Sequence, residues 1–89
     1  MTEEDEIHIT ILQDITNEIN NTIVKDTRYG GIKIEDKSIG VVIVIFISTK
    51  SIIYLEVNGF GPIFAADLTN PDYKEKTLKR IREYLGDKP

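Results

Sequence analysis

Cysteine is absent from this chain of 89 residues, and histidine occurs once, at His8. No disulfide, thiolate nucleophile or cysteine-bearing metal site can therefore be built. A single histidine cannot complete a His/Cys zinc site either. His8 lies between Ile7 and Ile9. Imidazole can act as a base, a ligand or a pH sensor, but here a helix-surface position is expected. Ser38, Ser48 and Ser51 fall at expected turns and strand ends with no histidine nearby in sequence, so none is expected to be an activated nucleophile. Glu3, Glu4, Asp5 and Glu6 lack the glycine and terminal glutamate of a calcium loop. The glycines of "NGFGP" match neither a P-loop nor a dinucleotide fingerprint. The expectation is a protein without enzymatic activity, metal or cofactor.

An excess of positive charge is also missing. The formal net charge is −4. It is acidic over residues 1–26, balanced over 27–69 and mildly basic over 70–89. Phosphate contacts need clustered lysine and arginine, so nucleic acid is not expected as a partner of the chain as a whole. The longest apolar run, Val41 to Ile47, is far short of the ~20 residues that span a bilayer as a helix. The start "MTEEDEIHIT" has neither the basic beginning nor the apolar core of a secretory signal. A cytoplasmic protein with no membrane partner is expected.

Isoleucine is abundant: sixteen, against five leucines and five valines. Such β-branched residues suit a pleated surface. Residues 3–24 carry Ile7, Ile11, Ile15, Ile19 and Ile23 at steps of four, which predicts a helix. Thr2 and Asp5 resemble a capping box at its start. In a rival reading, the alternation in "EIHITIL" makes residues 6–12 a strand. The unbroken four-residue step favours the helix, and Gly30-Gly31 ends it. Strands are expected at 32–36, 40–48, 51–57 and in "GPIFAA", with a hairpin turn at Asn58-Gly59. Asn70-Pro71-Asp72 caps a last helix whose stripe is Leu78, Ile81 and Leu85 and whose stop is Gly86. The fold class is α+β: one domain over residues 1–89, a two-layer sandwich in which an antiparallel meander of three or four strands is flanked by N- and C-terminal helices.

The run "GVVIVIFIST" is apolar on both strand faces. With a two- or four-residue loop around Thr49-Lys50, Ile47 pairs with Ile52, Ile45 with Tyr54 and Ile43 with Glu56. Val42, Val44, Phe46, Ile53, Leu55, Val57 and Phe64 then form the core. The second face carries Ile43, Ile45, Ile47, Ile52, Tyr54 and Ile63, an apolar surface larger than monomers usually expose. Three covers are open: a second copy of the chain, a different protein, or the N-terminal helix crossing over. The first hairpin does not arbitrate, because a two-residue turn puts Ile32 and Ile34 on the second face and a three-residue turn puts them in the core.

The order helix, three strands, helix resembles the double-stranded-RNA-binding domain. The matching stretch for that family's basic cluster is "NPDYKEKTLK", in which Asp72 and Glu75 interrupt Lys74, Lys76 and Lys79. With the rival N-terminal strand, "IFAADL" followed by "LKRIREYL" is similar to a family of small dimeric α+β subunits. These belong to the complex that modifies tRNA with threonylcarbamoyl groups, and the resemblance implies a dimerising, non-catalytic subunit. The leading expectation is a small protein–protein interaction module: an assembly subunit, adaptor or protein inhibitor. It is expected to be a homodimer through the second face, or to bind another protein there. The alternative is a nucleic-acid-related module that uses Lys76, Lys79, Arg80 and Arg82 on the C-terminal helix.

Overall fold

The computed structural model describes residues 3–19, 24–28 and 31–85. Helix α1 (Glu3–Thr16) is followed by strands β1 (Val24–Arg28), β2 (Gly31–Asp36), β3 (Val41–Ile47), β4 (Ile52–Val57) and β5 (Phe60–Asp67), then by helix α2 (Tyr73–Leu85). The strands form one antiparallel sheet in the order β1-β2-β3-β4-β5. This is the expected α+β meander between two helices, and it has five strands. The added strand is β1. The proposed caps and stops at Thr2, Gly30 and Gly86 lie outside the described residues.

Residues 6–12 are helical, which decides against the strand reading and removes the basis of the resemblance to the tRNA-modification subunits. The helix ends at Thr16 rather than near residue 24. Its last turn tightens, with the Glu18 amide donating to the Ile15 carbonyl and the Ile19 amide to the Thr16 carbonyl. The following run "NEINNTIV" combines asparagine with β-branched residues, all weak helix formers. The buried stripe of the segment is His8, Leu12, Ile15, Thr16 and Ile19, while Ile7 is 56% exposed. A step of four residues gains about 40° per step on a helix of 3.6 residues per turn. The isoleucine series therefore winds off the buried face, and His8, expected on the surface, lies inside.

The pairing of β3 with β4 differs by one residue from the expected one. Ile47 sits opposite Ile53, Ile45 opposite Leu55 and Ile43 opposite Val57. The loop is neither two nor four residues long. The Ser48 amide donates to the Ile52 carbonyl, the Ser51 amide donates to the Ser48 carbonyl, and Ser51 has φ 60°. This is a three-residue loop, Thr49-Lys50-Ser51, closed by a residue in the left-handed region. An odd loop slips the register by one and exchanges the two faces of the strand. Ile43, Ile45 and Ile47 are consequently in the core, as are Ile53 and Leu55.

The first hairpin turns through residues 37–40, pairs Ile32 with Ile45 and Ile34 with Ile43, and sends both β2 isoleucines into the core. The last hairpin turns at Asn58-Gly59 as expected, with φ 51° and 82°. These are the two positive values of a type I′ turn. A register shift between Leu55 and Val57 then sets Leu55 against Phe64 and Tyr54 against Ala65.

Both helices lie on the side of Ile43 and Ile45. Leu12, Ile15 and Ile19 from the first helical segment join Leu78, Ile81 and Leu85 of α2 and the sheet isoleucines in one cluster. Helix α2 begins at Tyr73, three residues beyond the expected cap at Asn70. The intervening stretch forms turns instead. The Asp67 carboxylate accepts from the Thr69 amide and hydroxyl, which lowers its pKa, and the Tyr73 amide donates to the Asn70 carbonyl. The helices are tied by Lys74, whose Nζ lies 3.1 Å from both Asp14 and Glu18. Arg82 donates to the Glu18 carbonyl at 3.2 Å.

Three outcomes check this arrangement. Ile45→Ala should lower stability by about 2–5 kcal/mol. Ile45→Lys should abolish the folded circular-dichroism spectrum, while Val44→Lys should preserve it; the expected pairing would reverse the two. Hydrogen bonds from Lys74 to Asp14 and Glu18 raise the lysine pKa above its ordinary 10.5. As pH rises, the unfolded chain gives up this proton first, so the contribution is present below the ordinary lysine range and is lost as pH climbs through the folded-state value. The difference in urea midpoint between wild type and Lys74→Met should persist at roughly pH 9 and vanish by roughly pH 12.

Candidate functional site

One face of the sheet is taken by the helices. The other is built from the alternate positions of the same strands. Val42, Val44 and Phe46 on β3 fall between the buried isoleucines, and Ile52, Tyr54 and Glu56 alternate with Ile53 and Leu55 on β4. The first five of these apolar and aromatic residues are half-buried, and none belongs to the core cluster or to the residues packed against it. Phe46 and Tyr54 are direct cross-strand partners, with ring centroids 5.5 Å apart and planes 28° from parallel. Such a pair adds to sheet stability and presents a broad, stiff aromatic surface.

Charge frames this surface. Lys33 pairs with Val44 from the β2 side, and Glu56 pairs with it from the β4 side. Glu35 lies opposite Val42. At the turn end, the Val42 amide donates to the Asn58 side-chain oxygen, and the Asn58 amide donates to the Val42 carbonyl. Both main-chain groups of Val42 facing β4 are thereby satisfied.

Of the six residues expected on the exposed face, Tyr54 and Ile52 are there. Ile43 and Ile45 are fully buried, Ile47 is 8% exposed, and all three face the helices. Ile63 is half-buried and packs against the core. The open face instead presents Val42, Val44 and Phe46, which the expected register had placed inside. The signal that separates the two registers is the loop: three residues, Thr49-Lys50-Ser51, rather than two or four, and no residue type there announces it.

The four basic residues of the C-terminal helix expected to meet nucleic acid do not form one cluster. Lys76, Lys79 and Arg80 line one shallow depression with Phe64 and Glu83, while Arg82 turns to the helix seam. Lys76 pairs with Asp72 at 3.2 Å. Arg80 lies 3.6 Å from Glu83 and 5.5 Å above the Phe64 ring. Carboxylates thus offset most of the charge a phosphate backbone would meet. Among the described residues, no group of three or more His, Asp or Glu side chains could hold a metal ion. No described helix is long and apolar enough to cross a membrane.

No family model matches the chain, and comparison with curated proteins and with solved structures finds no match.

Filter binding with a short RNA duplex and a short DNA duplex checks the basic cluster. The expected outcome at micromolar protein is no retention that falls as salt rises from about 50 to 200 mM.

Proposed function

We propose that this chain is a small non-enzymatic interaction module, an assembly subunit, adaptor or protein inhibitor, that engages a protein partner through the open face of its sheet. The observation that carries the reading is the apolar surface of Val42, Val44, Phe46, Ile52 and Tyr54, which neither helix covers. Water against such a face is costly: hiding ~500 Å² of apolar surface is worth roughly 10 kcal/mol before association costs. The stacked Phe46–Tyr54 pair supplies the aromatic anchor typical of interface centres. The rim of Lys33, Glu35 and Glu56 supplies polar contacts.

Phe46→Glu and Tyr54→Glu should each abolish association in sedimentation velocity while leaving the circular-dichroism spectrum and thermal transition in place. A binding partner captured by the wild type should be lost with both variants. If both keep the parent's size and partners, the open face is not the interface.

A further inference from the structure

Resting on that reading of the open face, we propose that its occupant is a second copy of this chain, docked sheet on sheet about a two-fold axis that runs along β3. The argument comes from one row of the sheet. Lys33 pairs with Val44, and Val44 pairs with Glu56. A cation and an anion therefore flank the apolar centre of the face, each about 4.8 Å away, one strand spacing on either side. On its outer side Lys33 lies opposite Asp26 of β1, and among the residues whose side chains are described neither Lys33 nor Glu56 has an ion-pair partner.

An axis lying in the interface along β3 carries each β2 position onto the β4 position of the same row in the twin. Lys33 of each copy then faces Glu56 of the other, which makes two equivalent contacts. Val44 meets Val44 and Phe46 meets Phe46 on the axis. Glu35 meets the neutral Asn58. Tyr54 meets Gly31, which brings no side chain of its own. The strands of the two sheets run in the same direction, as in an aligned sandwich, about 10 Å apart, a gap that facing lysine and glutamate side chains span together. The other two-fold axis that keeps the sheets face to face crosses the strands at the Val44 row. It sets Lys33 on Lys33 and Glu56 on Glu56, and like charges so placed oppose association. Charge selects the axis along β3.

The test is a charge exchange read by sedimentation equilibrium at low salt. Lys33→Glu alone and Glu56→Lys alone each create two like-charge contacts in the symmetric dimer, so each should raise the dimer Kd at least about tenfold. Mixing the two variants should yield a heterodimer, because both of its contacts then join opposite charges. Native mass spectrometry with one variant isotope-labelled reads it directly. The double variant Lys33→Glu/Glu56→Lys should dimerise as the wild type does. Recovery on mixing cannot come from a variant that has simply failed to fold. A wild type that stays monomeric at about 100 μM overturns the proposal. So does a dimer that Phe46→Glu dissociates but whose charge variants show no preference for each other; that result leaves the open face as the interface and removes this docking mode. A dimer indifferent to Phe46→Glu overturns the underlying reading as well.

Discussion

Ser51 holds a positive φ at the end of a three-residue loop, and that geometry pairs Ile47 with Ile53 rather than with Ile52. The choice propagates through the molecule. Because side chains alternate across a strand, it decides at once that Ile43, Ile45 and Ile47 point to the helices and that Val42, Val44 and Phe46 point away. Ile32 and Ile34 follow from their pairing with Ile45 and Ile43. The helices then have one surface to cover, and the stripes of Leu12 and Ile15 and of Leu78, Ile81 and Leu85 meet it. The ion pairs of Lys74 and the bond from Arg82 to the Glu18 carbonyl align the helices with each other. Exposed pairs of this kind add little energy, so burial carries the stability and the pairs set the helix seam.

The same alternation creates the open face. A strand with a dry side and a wet side needs polar residues at every second position, and β3 has none from Val41 to Ile47. The strands beside β3 supply the nearest charge, Lys33 and Glu35 on one side and Glu56 on the other, and the outer strands place Asp26 opposite Lys33 and Asp67 opposite Ile52. An apolar centre with charges of opposite sign across it is the feature on which the proposed pairing of two such faces rests.

Much of this architecture was legible in the sequence. The helix–meander–helix order came from periodicities, and Asn58-Gly59 marked its hairpin because both residues accept positive φ. The stripe of α2 was read correctly because Leu78, Ile81 and Leu85 leave no competing face. The failures share a cause, which is that hydrophobic pattern carries no information where both alternatives are apolar. On β3 either register buries a continuous row, so only the loop geometry distinguishes them, and a serine at positive φ is not announced by its residue type. In α1 the four-residue isoleucine step overran the true helix end and hid the winding of the stripe. Strand β1, "VKDTR", lacks any apolar alternation, so the pattern predicts no strand there. Of the residues expected on the second face, Tyr54 and Ile52 do point away from the helices, and the β3 residues are exchanged between faces for the same one-residue reason.

The measurement that reaches this point most directly is a set of cross-strand nuclear Overhauser effects between β3 and β4. The bonds from the Asn58 amide to Val42 and from the Ser48 amide to Ile52 mark the hydrogen-bonded pairs, which makes Ile45 and Leu55 a non-hydrogen-bonded pair whose α-protons lie close together. A strong effect between the α-protons of Ile45 and Leu55 is the expected result, and it puts Val44, Phe46 and Tyr54 on the face that the helices leave open. A strong effect from Ile45 to Tyr54 instead would return the isoleucines to that face and contradict the account.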